Sequence, residues 1–312
     1  MVEQTATFKS HVYKAIGELA IRADVYGPDS RAGHPNAGKT GQGRGNPVIM
    51  WIHGGALIMG GRELVPLDQV EQFLAAGWTF VSIDYRLAPE TKLDGILEDV
   101  RDAYGWIRNR GPELFDADAD RIAVAGASAG GYLSLMCGVM LEPKPTGILS
   151  YYGYGEIVGD WYSKPDDHYL RTEDIVSEER ALAAVGRTPV SQGPPDSRWP
   201  FYLYCRQNGI WPYEVTGMDH EKEPEKFVRY CPDQNVAQDY PATMLLHGDE
   251  DNDVPFLLSQ RMDAALEKAG VDHEFIPMPG MGHGFDGVGI RDDRFAPAFE
   301  RVMRFLQRHL ER

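Results

Sequence analysis

The chain has 312 residues, enough to bury a sizeable core in one large α/β domain or two modest ones. With 43% apolar and 25% charged residues it is an ordinary globular composition, which excludes disordered and collagen-like classes. Its 47 acidic side chains outnumber 31 basic ones, giving a formal charge of −16, a field that repels phosphate backbones and anionic headgroups and argues against nucleic acid or a membrane surface as partner.

From the N-terminus, Leu19, Ile21, Ala23 and Val25 alternate with Ala20, Arg22, Asp24 and Tyr26, a period of two that predicts a half-buried strand, with Thr7 to Tyr13 as its pairing partner. Residues 27–47 are Gly, Pro, Asn, Ser and charge, which predicts a mobile loop. Continuous apolar runs follow at Val48 to Ile52, Phe80 to Ile83, Ile122 to Ala125, Ile148 to Tyr151 and Met244 to Leu246, as strands covered on both faces require. Helical spacings separate them: Leu67, Val70 and Leu74 closing at Gly77, then Ile96, Val100, Tyr104 and Ile107 closing at Gly111-Pro112. After Met244 the rhythm resumes, with a helix over Phe256 to Ala269, a strand over Glu274 to Met278 and a helix over Ala296 to Leu310. This is the order of a doubly wound, mostly parallel α/β sheet, whose functional groups gather at the carboxyl ends of the strands.

The rhythm breaks between Gly153 and Asp239, which are rich in proline and aromatic residues and offer one good helix before Pro189, about Glu178 to Val185. Residues 1–152 and 240–312 are therefore expected to form the core domain, and 153–239 an inserted lid.

Gly126-Ala127-Ser128-Ala129-Gly130 follows an apolar strand directly and precedes a helical stretch, Gly131 to Leu141. A serine on such a turn presents its hydroxyl beyond the sheet, and flanking glycines let strand and helix approach closely. His53-Gly54-Gly55-Ala56 ends the first buried strand, so the amides of Gly55 and Ala56, with that of Ala129, are candidates for holding an oxyanion. Farther on, Met244 to Leu246 runs into His247-Gly248-Asp249-Glu250-Asp251-Asn252-Asp253, and Glu274 to Met278 runs into Gly280-Met281-Gly282-His283-Gly284-Phe285. Ser128, Asp251 and His283 thus stand in the order serine, acid, histidine. His283 would take the serine proton, and the carboxylate would fix its tautomer. Asp249, Glu250 and Asp253 are the competing acids, and Asp253 is the better cap for the helix starting near Pro255.

Together, His53-Gly54-Gly55, Asp84-Tyr85-Arg86-Leu87-Ala88-Pro89-Glu90 and Gly126-x-Ser128-Ala129-Gly130-Gly131 resemble the α/β-hydrolase superfamily, and within it the hormone-sensitive lipase and acetyl esterase group. The acid turn looks closer to dienelactone hydrolases and prolyl-oligopeptidase-like enzymes, where the third residue after the glycine, here Asp251, is the acid. Ala56 departs from the H-G-G-G of the esterase group, keeping an N–H but adding a methyl. The resemblance implies a nucleophile at Ser128, an oxyanion hole at Gly55, Ala56 and Ala129, and the histidine at His283.

The expected activity is hydrolysis of a small or medium carboxylic ester through an acyl-enzyme, with no metal or organic cofactor. Lactonase, amidase or formamidase, and short-peptide hydrolase are alternatives with the same triad, and a ligand-binding receptor on a hydrolase scaffold is the non-enzymatic one. At least some of Trp161, Tyr169, Trp199, Tyr202 and Trp211 of the lid are expected to touch substrate. Gly33-His34-Pro35-Asn36-Ala37-Gly38-Lys39-Thr40 spells a phosphate-binding loop, but Gly41, Gly43, Gly45 and Pro47 follow where a helix would be needed. Cys137, Cys205 and Cys231 form no paired spacing and are expected as free thiols. With no signal-like apolar run at Met1 to Lys14, a cytoplasmic location is expected. The expected partner is a small ester-like molecule, with homodimer formation left open.

Overall fold

The apolar runs become the middle of a single eight-stranded sheet in the computed structural model, which describes residues 6–27 and 45–311. In chain order the elements begin with β1 (Lys9–Ile16), β2 (Leu19–Tyr26), β3 (Asn46–Ile52), α1 (Leu67–Ala75), β4 (Thr79–Ile83), α2 (Leu93–Phe115), β5 (Ala117–Ala127), α3 (Ala129–Met140) and β6 (Gly147–Tyr151). The inserted segment carries α4 (Asp160–Ser163), α5 (Asp167–Thr172), α6 (Glu178–Ala183), α7 (Pro195–Asn208), α8 (Trp211–Thr216) and α9 (Pro232–Asn235). The chain then returns as β7 (Thr243–Gly248), α10 (Leu257–Ala269), β8 (His273–Met278) and α11 (Ala296–Leu310). Strand order is β1-β2-β4-β3-β5-β6-β7-β8, with β1–β2 and β2–β4 antiparallel and every other pair parallel. The mobile loop and the phosphate-loop-like motif expected around residues 28–44 lie outside the described residues.

Because β3 leads through α1 to β4 on one side while α2 leads to β5 on the other, the winding reverses at β3 and β5. That reversal opens a crevice beyond their carboxyl ends, where both His53-Gly54-Gly55 and Ser128 are found. The middle strands β3, β4, β6 and β7 are buried on both faces. Val48, Met50 and Ile52 join α2, α3 and the inserted helices in one core, while Ile49 and Trp51 join α1 and α11 in the other. Among the described residues no helix is long and apolar enough to cross a membrane.

Several helices differ from expectation. α2 runs through Gly111-Pro112 to Phe115 and is stopped by Asp116 in the left-handed region (φ 53°), whose N–H reaches back to the Gly111 carbonyl. Pro112 falls in the last turn, where a missing N–H removes a single bond. α7, unexpected among prolines, starts with Pro194-Pro195, where the fixed φ of proline suits the first turn, and carries Pro200 inside. α4 and α5 before Pro189 were also not predicted; Asp166 caps α5 by accepting the N–H groups of His168 and Tyr169.

The inserted helices are tied to the core by buried polar contacts. Arg198 of α7 forms an ion pair with Glu90 (2.6 Å) and donates to the Ala88 carbonyl (2.7 Å). Val190 accepts the Leu87 N–H (2.9 Å), and Gly60 pairs with Gly193 in an isolated bridge.

Candidate active site

Ser128 occupies the tip of the turn between β5 and α3 at φ 56° and ψ −120°, a region that side chains other than glycine rarely enter. The turn is held by the Ser128 N–H on the Tyr151 carbonyl (2.9 Å) and by the absence of side chains beside it. A Cβ on Gly130 would stand 1.9 Å from the Ile52 carbonyl oxygen, and one on Gly126 2.4 Å from that of Gly130. The glycines are thus required by close approach of α3 to β3.

His283 follows β8 on a loop between the left-handed Gly280 and Gly284. Its Nε2 lies 3.0 Å from Ser128 Oγ and its Nδ1 2.8 Å from Asp251 Oδ2. With Nδ1–H donated to the carboxylate, Nε2 is left to accept the serine proton. Asp251 divides its oxygens: Oδ1 accepts the N–H groups of Asp253 (2.8 Å) and Val254 (2.9 Å), holding the turn after β7, and Oδ2 faces the imidazole. Holding the turn and facing the imidazole therefore coexist in one side chain. Asp253, expected as the cap of α10, does not cap it; that helix starts at Phe256 with no side-chain cap, and Asp253 turns instead to Tyr202, Arg206 and His283. Its carboxylate finds a guanidinium and a tyrosine hydroxyl there, stronger partners than a helix amide.

Burial opposes charge on Asp251, but hydrogen bonds from His247 and His283 and from the backbone outweigh it and hold the carboxyl well below the usual range. Burial likewise works against a charged His283, yet the Asp251 hydrogen bond and the Asp253, Asp251 and Asp286 charges raise it above its ordinary value. His247 is fully buried, with Nδ1 on Ser259 Oγ (2.7 Å) and Nε2 shared between the Val254 carbonyl (3.0 Å) and Asp251 Oδ2 (3.2 Å).

Peptide planarity fixes where the candidate oxyanion amides point. The Gly54 carbonyl meets His53 Nδ1 (2.7 Å), and the Gly55 carbonyl accepts the N–H groups of Ile58 and Met59 (2.9 Å each). In a trans peptide the N–H opposes the carbonyl, so the amides of Gly55 and Ala56 turn away from those partners, and both residues line the cavity that Ser128 enters. The Ser128 carbonyl accepts the Tyr132 N–H (3.0 Å) along α3, so the Ala129 amide points out of the helix start. Ala56 (φ 55°) and Leu57 (φ 63°) are left-handed, the conformation in which a glycine would be unstrained. They are pinned by Trp211 Nε1 on the Ala56 carbonyl (3.0 Å) and by the Ala88 N–H on that of Leu57 (2.8 Å). His53 is buried, stacked on Tyr85 at 4.2 Å, and burial lowers it to about 4, so it stays neutral.

A cavity of about 750 Å³ opens over Ser128 and His283. Trp199 and Tyr202 line it, whereas Tyr169 lines a smaller one of about 340 Å³ that shares Trp199, Asp253 and His283 with the first. Trp161 and Trp211 do not reach either cavity. Trp211 is fully buried and stacks on Tyr162 (3.9 Å), and Trp161 stacks on the other face of Tyr162 (3.6 Å) with its Nε1 on Glu156. Trp211 has no surface left for a ligand. Sequence reasoning missed Tyr152, packed edge-on to His283 (4.7 Å) with its hydroxyl on Asp286 (2.6 Å), as well as Trp51, Leu64, Leu67 and Asp68 on the opposite wall. Among the described residues no group of three or more His, Cys, Asp or Glu could hold a metal ion, and Cys137, Cys205 and Cys231 are free and buried.

A serine, an imidazole and a carboxylate thus stand in consecutive contact at the crevice of the sheet. Residues 37–154 match the BD-FAE family and residues 198–312 the prolyl oligopeptidase family. Esterase LipC of Mycobacterium tuberculosis is 27% identical over 77% of this chain, which spans 53% of its length. Non-reducing polyketide synthase Preu6 of Preussia isomera is 28% identical over 89% of this chain, which spans only 14% of that enzyme. Among solved structures, a Staphylococcus aureus protein of unknown function superposes with a TM-score of 0.75 at 23% identity, covering 97% of this chain and 99% of its own. A thermostable carboxylesterase cloned from a metagenomic library gives 0.68 at 20% identity, covering 98% and 90%. The chain has the α/β-hydrolase fold.

Proposed function

We propose that the chain hydrolyses small or medium carboxylic esters through an acyl-enzyme. The observation that carries this reading is the unbroken contact Ser128 Oγ to His283 Nε2 to Asp251 at the wall of a large cavity. Ser128 Oγ attacks the carbonyl carbon as its proton passes to Nε2. The tetrahedral oxyanion is held by the amides of Gly55, Ala56 and Ala129. Collapse breaks the bond to the alkoxy group, which leaves with the Nε2 proton; water repeats the sequence and frees the acid. Asp251 keeps Nδ1 protonated and stabilises the imidazolium. A lactone, an amide or a short peptide would use the same groups, and the inserted segment 153–239, acting as a cap, would set the choice.

The test is a panel of 4-nitrophenyl esters, lactones and anilides of graded acyl length with the wild-type chain and Ser128→Ala. Ester turnover should exceed the others, and Ser128→Ala should retain at most about 10³ to 10⁴-fold over water. Near-normal ester hydrolysis by Ser128→Ala overturns the nucleophile. No turnover, with no labelling by a serine-directed phosphonate, supports a receptor instead.

A further inference from the structure

We propose that Asp253 lines the subsite for the leaving group and makes the enzyme discriminate against esters whose alcohol portion carries a negative charge. This rests on the ester-hydrolase reading above and adds the substrate class at the same site. The general acid must reach the leaving oxygen, so that oxygen has to lie beside His283 Nε2 as the tetrahedral intermediate collapses. Asp253 Oδ2 is 3.6 Å from that same nitrogen. Its side chain is one-fifth exposed, and that exposure is into the two cavities, both of which it lines together with Trp199 and His283.

Asp253 keeps its charge and its position through Arg206, which is 1% exposed and enclosed by the rings of Trp161, Tyr162, Tyr169 and Tyr202. Arg206 does not cancel that charge, because it is shared: one nitrogen pairs with Asp253 Oδ1 and the other with Asp166, each at 2.5 Å, leaving the trio one negative charge in excess. Tyr202 donates its hydroxyl to Oδ1 as well, so Oδ2 is the oxygen left to face the subsite. Among the described residues no lysine or arginine lines either cavity, while Asp68 and Asp286 join Asp253 in the larger one. An anionic leaving group would meet this carboxylate in a partly desolvated space, where repulsion is weakly screened.

The test compares the wild-type chain, Asp253→Asn and Asp253→Glu on two probes, 4-acetoxybenzoate and its methyl ester, which share the acyl group and differ by one charge on the leaving group. Each rate is divided by the imidazole-catalysed rate of the same ester, which removes their difference in intrinsic reactivity. The wild type should favour the methyl ester about tenfold or more in kcat/KM. Asp253→Asn should bring the ratio to within about threefold of unity, and Asp253→Glu should restore the preference. Because the ratio is internal to each variant, a general loss of activity or of folded protein does not move it. A wild-type ratio near one, or an unchanged ratio in Asp253→Asn, overturns the inference while leaving ester hydrolysis standing. Failure of the wild type to turn over either probe faster than Ser128→Ala overturns the ester-hydrolase reading, and this inference with it.

Discussion

Replacing Asp251 by asparagine separates the two tasks its carboxylate performs. Oδ1 accepts two backbone N–H groups, from Asp253 and Val254, and only an oxygen can do that. The asparagine oxygen is therefore held on the turn and its NH₂ faces His283, where Nδ1 must become the acceptor. The ring then carries its proton on Nε2, toward Ser128, the wrong tautomer for a base. The expected loss is about 10⁴-fold in kcat, equivalent to about 5.4 kcal/mol of transition-state stabilisation. Folding should suffer much less, by about 1–3 kcal/mol, since the turn bonds survive and only their charge is lost. The folded carboxyl lies below its usual range, so its contribution is present above an unfolded value of about 3.9 and disappears as pH falls toward the folded one. The melting gap between wild type and Asp251→Asn should accordingly narrow in acid. Ester kinetics at pH 8 and thermal melts from pH 3 to 8 read both effects. An Asp251→Asn enzyme within tenfold of wild type, with Asp253→Asn the more damaged, would move the acid to Asp253 and refute the tautomer argument.

Gly130→Ala should destabilise by more than about 3 kcal/mol, lowering the melting temperature by about 6–12 °C or preventing soluble expression, because its Cβ would meet the Ile52 carbonyl at 1.9 Å. Gly105→Ala is the control on helix α2: its Cβ meets nothing within 4 Å, and a gain of about 0.5–1 kcal/mol is expected by the same melt. Asp286→Asn removes a negative charge that helps raise His283, so the imidazolium becomes less favoured. Since only neutral His283 can accept the serine proton, the acid limb of the kcat/KM profile should move to lower pH; a shift to higher pH, or none, contradicts that electrostatic assignment.

What the sequence revealed and what it concealed have different physical origins. The alternation of buried runs and amphipathic helices reports local periodicity, and it yields the parallel sheet and the α/β class correctly. Ser128, Asp251 and His283 were legible because each follows a strand end inside a glycine-marked turn, which the structure brings into contact at 2.8 and 3.0 Å. The cavity wall was harder to read. Trp161 and Trp211 carry the same composition signal as Trp199, but both stack on Tyr162 and neither lines a cavity, a tertiary fact with no local trace. α7 was hidden because proline reads as a breaker unless its place in the helix is known. Tyr152 and Asp286 belong to two loops separated by 134 positions, and nothing in either loop names the other. The Asp84 to Glu90 motif contributes scaffolding: Tyr85 donates to the His53 carbonyl (3.0 Å), Arg86 clasps Asp99, and Glu90 receives Arg198.

One short turn, residues 249–254, links the catalytic chemistry to the inserted helices. Asp251 orients the imidazole from its Nδ1 side, and Asp253, two residues on, approaches Nε2 while held by Tyr202 and Arg206 of α7. Any displacement of α7 must therefore either drag Asp253 with it or break the buried Arg206–Asp253 ion pair, leaving Asp166 as the remaining carboxylate on an arginine at 1% exposure and costing several kcal/mol. The cheaper course is for α7 and the turn to move as one body. Under the proposed ester hydrolysis, a substrate seated against Trp199 and Tyr202 would act on the same element that fixes the Asp253 charge beside His283, so selection of the leaving group and placement of the imidazole would be mechanically coupled.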